Sequence, residues 1–331
     1  MTKIDIFSGF LGAGKTTLIK KLLKEALAGE KVVLIENEFG EIGIDGGFMK
    51  EAGIEVTEMN SGCICCSLVG DFGEALRKVI DQYHPDRILI EPSGVGKLSD
   101  VIRAVEGVEK DMADVEMGSF VTVADAMKCR MYIKNFGEFF LNQIEYAGTI
   151  LLSRTQKMTQ EKLEAAVALL REHNEKARII TTPWDDLTGA QILSAMEKDH
   201  SLAEEMLETV MHEHHHHEHD EHCDCGCHDH DHAHHHGHHH ADEVFTSWGV
   251  ETVRKFSEKE LEAILTALDG ETYGIVLRAK GIIPASDSGW IHFDYTPGEQ
   301  NIRRGAADFT GRLCVIGSKL DENGLKNLFN V

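Results

Sequence analysis

Positive charge is what this sequence has least of. Lys and Arg number 33 against 56 Asp and Glu, a formal net charge of −23 at pH 7. That balance leaves no basic face for a nucleic-acid backbone and disfavours docking on anionic lipid. No apolar run reaches the roughly 18 residues that a membrane helix needs. Residues 1–14 are apolar and glycine-rich but run straight into Lys15 without a small-residue cleavage site, so no secretory signal is expected. Eight cysteines without such a signal point to reduced thiols in the cytoplasm, where clustered cysteine more often means metal or redox chemistry than disulfides. The stretch 212–240 has no Lys or Arg and almost no large apolar residue. It cannot bury a core and is expected to be a disordered loop when free of ligand.

What is present is a chain of 331 residues, 42% hydrophobic, long enough for one large domain and a smaller one. An apolar-alternating run at 3–8 reads as a strand, and 15–28 carries Leu18, Leu22, Leu23 and Leu27 on one helical face. Further buried-strand candidates lie at 32–36, 87–90, 120–123, 150–152 and 178–181, with helical patterns around 72–81 and 160–173. This alternation predicts an α/β fold, a mostly parallel sheet with helices on both faces, over 1–185. A linker containing the His-rich stretch occupies 186–243. Ordered composition then resumes, and 244–331 reads as a small α+β domain with a helix at 257–268, where Ser257 and Glu260 fit a capping box. Its strand candidates are 275–279, 290–295 and 313–317.

Gly9, Gly12, Ala13, Gly14, Lys15 and Thr16 lie in Gly-Phe-Leu-Gly-Ala-Gly-Lys-Thr, which satisfies every fixed position of the Walker A loop between a predicted strand and a predicted helix. Glycines let backbone N–H groups wrap phosphates at the positive end of a helix. Lys15 is expected to reach the β- and γ-phosphates and the Thr16 hydroxyl to bind Mg²⁺, with Thr17 next in the nucleotide set. The strand at 87–90 ends in Glu91-Pro92-Ser93-Gly94. An acid there can orient the Mg²⁺ shell or the attacking water, and the Gly94 N–H can donate to a γ-phosphate; a plain strand-to-loop junction is the alternative.

Cys63, Cys65 and Cys66 place three thiols within four residues, a set suited to Zn²⁺ and other borderline-soft ions. Inert buried cysteines and a Cys63/Cys66 redox pair are the competing readings. The stretch 212–240 holds 16 of the 20 His, with Cys223, Cys225, Cys227 and seven acids. Such density predicts several weak, exchanging metal sites. His84, His173, His200 and His292 read as surface or packing residues, and Cys129 and Cys314 as buried small hydrophobes.

Taken together, the Walker A loop, Glu36-Asn37-Glu38-Phe39-Gly40-Glu41, Gly62-Cys63-Ile64-Cys65-Cys66, Glu91-x-x-Gly94 and the run at 121–126 resemble the CobW family of P-loop metallochaperone GTPases. Residues 274–317 resemble its C-terminal domain. The resemblance implies binding and hydrolysis of GTP with Mg²⁺, and capture of Zn²⁺ or Co²⁺ at Cys63, Cys65 and Cys66 with help from Glu36 and Glu41. It implies delivery to a metalloprotein client, in metal homeostasis or cobalamin-related metabolism; a metal-storage protein with a nucleotide-sensing P-loop is the alternative. No nucleic-acid or membrane partner is expected, and a homodimer is left open. One departure concerns the base. Where the family carries Asn-Lys-x-Asp, this chain has Ser153-Arg154-Thr155-Gln156. A Gln amide offers one acceptor and one donor group and cannot repeat the two bonds that Asp accepts from guanine, while Arg154 could stack on the base.

Overall fold

The computed structural model describes residues 1–36, 55–58, 69–197 and 246–331, with side chains left aside at 55–58 and 69–71. The chain divides into two compact units, Met1–Lys198 and Asp199–Val331. The first unit runs β1 (Thr2–Ser8), α1 (Lys15–Glu25), β2 (Val32–Glu36), β3 (Glu55–Glu58), α2 (Val69–Tyr83), β4 (Arg87–Glu91), α3 (Leu98–Asp111), β5 (Val115–Asp125), α4 (Cys129–Glu145), β6 (Thr149–Ser153), α5 (Gln160–Arg171), β7 (Arg178–Ile180) and α6 (Gly189–Glu197). Its seven strands lie in the order β3-β2-β4-β1-β5-β6-β7, every pairing parallel.

Parallel strands covered on both faces read as continuous apolar runs, and these do: Val33, Leu34 and Ile35 of β2 and Ile88, Leu89 and Ile90 of β4 are fully buried. Alternation sends Ile4, Ile6, Ile88 and Ile90 into one core with Leu76 of α2, Val105 of α3 and Ile144 of α4. The α1 helix packs with α6, and its Leu18, Ile19, Leu22 and Leu23 are buried. The α/β architecture expected from strand–helix alternation is therefore present. The order places β1, which leads into the Walker A loop, between β4 and β5, so the carboxyl ends of three strands border that loop.

The helix α6, past the expected boundary at 185, packs into the first unit. Gly189 donates its N–H to Glu25 at 2.7 Å, and a Cβ at Gly189 would stand 2.7 Å from the Glu25 Cβ, so only glycine lets the helix come this close. At the other end Glu197 accepts from Lys3 at 2.9 Å and from Arg87 at 3.0 Å. Arg87 is itself buried and also pairs with Asp5 and Glu30. Residues 189–197 thus belong to the first unit because two carboxylates hold both ends of the helix, which composition alone does not reveal.

The second unit consists of β8 (Thr246–Thr252), α7 (Glu258–Ala267), β9 (Ile275–Pro284), β10 (Trp290–Thr296), β11 (Glu299–Gly305), β12 (Gly311–Ser318) and α8 (Glu322–Phe329). It is an antiparallel sheet of order β11-β10-β9-β12-β8, with Leu261, Leu265, Leu325 and Phe329 of its helices packed on Phe293, Leu313 and Val315. Ser257 caps α7 as expected, accepting from the Glu260 N–H at 3.2 Å. The Glu260 carboxylate turns to Arg254 instead of closing the box. Cys129 and Cys314 are buried free thiols, pushed up to about 12 by burial, and are therefore inert as nucleophiles at neutral pH.

Burial works to raise the Glu197 carboxyl, but hydrogen bonds from Lys3 and Arg87 outweigh it and hold the group below the usual carboxylate range. The Lys21 ammonium and the Gly189 N–H lower Glu25 as well. Folded values depressed in this way add stability that is present above about pH 4.5 and is lost as pH falls through them. Glu197→Gln is expected to lower the unfolding free energy at pH 7 by about 1–2 kcal/mol. In urea titrations the gap from wild type should close below about pH 4; a gap that persists in acid would mean that charge at Glu197 does not hold α6.

Candidate nucleotide site

Local backbone geometry builds the cradle. Gly9, Gly12 and Gly14 all have positive φ, at 145°, 68° and 110°, a region that side chains with a Cβ rarely adopt. At Gly9 a Cβ would lie 2.3 Å from the Val123 carbonyl oxygen of β5, so the loop entry fits only glycine. Gly14 is the N-cap of α1, and Ala13 is buried behind it while Thr17 faces outward from the first turn. The loop therefore presents a helix N-terminus of the kind that binds phosphate.

Three of the residues picked from sequence meet at one carboxylate. Lys15 is buried, donates to the Gly9 carbonyl at 3.1 Å and lies 3.7 Å from Glu91 Oε1. The Thr16 hydroxyl reaches both oxygens of Glu91, at 3.2 and 3.3 Å. Glu91 ends β4 in register with Glu36 at the end of β2, and Glu36 is in register with Glu58 of β3. Glu58 escaped notice in the sequence because a lone acid two residues before Asn60 carries no motif. The donor set at Thr16 and Glu91 is hydroxyl and carboxylate oxygen, the hard-oxygen chemistry that Mg²⁺ takes, beside a cradle open at three glycines. The residues fit a Mg²⁺–nucleotide.

Gly94 packs closely on the loop: a Cβ there would come within 2.8 Å of the Leu11 Cδ2 and 3.0 Å of its N. What holds this segment was missed. Gln143 of α4, wholly buried, donates its amide to the carbonyls of Gly94 at 3.2 Å and Gly96 at 2.9 Å. A lone Gln in a helix gives no sequence signal.

On the base side Arg154, named from sequence, has partners within the protein. Arg154 has φ 62°, pairs with the buried Asp125 at the end of β5 and donates to the Gly12 carbonyl at 2.9 Å. Its guanidinium tethers the phosphate loop to β5. Gln156 is exposed in the short turn after β6. Ser153 is buried with its hydroxyl unpartnered, as is the Thr155 hydroxyl. Trp184 joins them unforeseen: its six-membered ring edge stands 3.3 Å from where a Gly14 Cβ would be, and its indole N–H is buried without an acceptor. Buried polar atoms left unpaired cost free energy, so Ser153, Thr155 and Trp184 are groups that a bound nucleoside can satisfy.

Glu41, Cys63, Cys65 and Cys66, and the His-rich stretch 212–240, lie outside the described residues. Among the described residues no three His, Cys, Asp or Glu side chains converge as metal ligands, and no helix is long and apolar enough to cross a membrane.

Comparison with known proteins agrees with this geometry. The CobW/HypB/UreG nucleotide-binding domain matches residues 3–181, and the cobalamin synthesis protein cobW C-terminal domain matches residues 245–331. The zinc chaperone CobW of a Sinorhizobium species is 34% identical over 187 residues, 48% of this chain and 52% of that protein. The Escherichia coli zinc chaperone YjiA is 30% identical, over 56% of this chain and 58% of its own length. The zinc-regulated GTPase metalloprotein activator 1 of Schizosaccharomyces pombe is 27% identical, over 60% and 50%. The chain spans about half the length of the curated relatives it matches.

Trp184 is the sole tryptophan among residues 1–198; the others are Trp248 and Trp290. Its contact with Gly14 predicts a change in tryptophan emission when nucleotide fills the cradle. The change should be present in the wild type and absent in Trp184→Phe. Equal responses in the two would place the reporter elsewhere.

Proposed function

The chain belongs to the CobW family of P-loop GTPases, and from that premise we propose that it is a Mg²⁺-dependent GTPase that captures Zn²⁺ and transfers it to a client metalloprotein. The observation that supports it best is the meeting of Lys15, Thr16 and Glu91 between the Walker A loop and the end of β4. A buried Lys15 beside a carboxylate is a cation held ready for phosphate. On nucleotide binding its ammonium exchanges the Gly9 carbonyl and Glu91 for β- and γ-phosphate oxygens. Thr16 and Glu91 would hold the Mg²⁺, which neutralises charge developing on the phosphates. Glu91 also stands where it can orient a water whose oxygen bonds to the γ-phosphorus as the bond to the β–γ bridging oxygen breaks. The Gly94 N–H, packed on Leu11, stabilises the transferring group.

The three thiols of Cys63, Cys65 and Cys66 with Glu36 and Glu41 form the cargo site in this proposal; Co²⁺ is the other metal its donors suit. Glu36 and Glu91 are neighbours in register, so a cargo ligand and a phosphate-facing acid end adjacent strands. Loss of the γ-phosphate would be felt at Glu36 through that edge. The His-rich stretch supplies weak sites that feed the tight one. A storage role would rest on that stretch alone.

Phosphate release by the wild type and Lys15→Ala, with and without Zn²⁺, tests the enzyme. Lys15→Ala should lower turnover by a factor on the order of 10²–10³ without unfolding the chain; near-normal turnover would remove Lys15 from phosphoryl transfer and favour storage. Removal of 212–240 should leave one tight Zn²⁺ site that Cys65→Ala abolishes and that weakens as pH falls and thiols reprotonate. A deletion variant with no tight site would reject the cargo assignment. Gln156→Asp should raise the preference for GTP over ATP by about 1 kcal/mol, read from competition binding; an unchanged preference would mean that Ser153, Thr155 or Trp184 reads the base instead.

A further inference from the structure

A concavity of the first unit is lined by none of the residues assigned above to the nucleotide. It has a volume of about 340 Å³ and lies between the segment leaving β5 and the start of α5, lined by Met127, Arg130, Lys157, Met158, Lys162 and Leu169 among others. No Asp or Glu lines it. Arg130, Lys157 and Lys162 are exposed, and none of them has a carboxylate partner among the described residues. In a chain of net charge −23, three unpaired cations around one apolar cavity run against the prevailing field.

Large apolar side chains are also exposed at the edge of the cavity and along α4. Met127 is 56% exposed and Met131, in the first turn of α4, 46%. Farther along the helix Phe136 and Phe139 are 45% and 39% exposed, and Phe136 breaks the helical backbone with φ −137° and ψ 31°. On the same stretch Lys134 adds positive charge, while Lys128 pairs with Asp125 at 3.8 Å and Glu138 with Lys97 at 2.7 Å. Large exposed apolar side chains grouped on one element mark interaction surfaces, and methionine suits surfaces that adapt to a partner.

We propose that this cavity and the start of α4 form a docking site for an acidic, apolar-anchored segment of a partner protein. Charge complementarity selects that occupant. The apolar floor of Met127, Met158 and Leu169 calls for a hydrophobic side chain, and the three cations around it call for carboxylates flanking that anchor. An inorganic anion would leave the floor uncovered. A nucleic-acid strand would need an extended basic face, which a cavity of three cations does not provide. The place of the site suits a chaperone: α4 carries Gln143, which holds Gly94 and Gly96, and Tyr132 and Phe140, which pack on Phe10 of the phosphate loop. The proposal deepens the client-delivery reading and rests on it for purpose, but its test involves neither metal nor nucleotide.

The test is fluorescence anisotropy on the full chain with a short fluorescein-labelled peptide in which Glu and Leu alternate. Binding is expected to the wild type and to weaken by about tenfold or more in Lys157→Glu/Lys162→Glu and in Met158→Asp. A peptide with Ser in place of Leu, and one with Lys in place of Glu, should bind at least about tenfold more weakly. Both variants should keep wild-type phosphate release, which shows that they fold and separates this outcome from failure of the GTPase assignment. No binding of the Glu-Leu peptide, equal binding of the Glu-Ser peptide, indifference to the charge reversals, or preferential binding of an oligouridine RNA would each overturn the proposal.

Discussion

The Thr16 hydroxyl bonded to the Glu91 carboxylate, with the Lys15 ammonium 3.7 Å away, is the contact around which the first unit is arranged. A lysine as buried as Lys15 cannot stay charged without an anion near it. Before any phosphate arrives, Glu91 and the Gly9 carbonyl provide that environment. The contact requires β4 to end level with the start of α1, which the parallel register of β4 beside β1 supplies. On the other flank Gly9 touches the Val123 carbonyl, so the loop is clasped between the ends of β4 and β5. Any shift of either strand would move the phosphate cradle with it.

The parts around that contact act as braces. From α4, Gln143 holds the segment after Glu91, while Tyr132 and Phe140 pack on Phe10. From β6, Arg154 bridges Asp125 and the Gly12 carbonyl. From the far end of the unit, Arg87 gathers Asp5, Glu30 and Glu197 under the sheet and fixes α6. Each brace joins residues far apart in sequence, and apart from the aromatic contacts on Phe10 each uses a buried polar group with a partner: Gln143, Asp125 and Arg87. Among the described residues five buried polar atoms are unpaired, on Ser8, Gln143, Ser153, Thr155 and Trp184; the last three border the place where a nucleoside would add a partner.

Legibility followed the range of the signal. The Walker A loop, the buried strands and the Ser257 cap are local patterns, readable because helix period, strand apolarity and glycine spacing are set by neighbours in the chain. The polar edge strand β11, Glu-Gln-Asn-Ile-Arg-Arg-Gly, carried no such pattern, since one exposed edge of a sheet needs no apolar face. Glu91 was legible as an acid at a strand end, but its bond to Thr16 was not. Arg154 was visible as a departure from a motif, yet its αL backbone and its tether to Gly12 belong to the fold.

By itself the sequence determined that a phosphate loop follows the first strand, that thiols and imidazoles cluster in two places, and that the chain carries a net charge of −23. Those properties depend on residue type and spacing. Only the tertiary structure decided that Gln143 of α4 positions the Gly94 segment, that Trp184 borders Gly14, that α6 closes the first unit, and that three cations surround an apolar cavity beside α4. These depend on which strands lie side by side and which buried polar groups find partners across the sheet, and that pairing is set by packing of the whole unit rather than by any short stretch of chain.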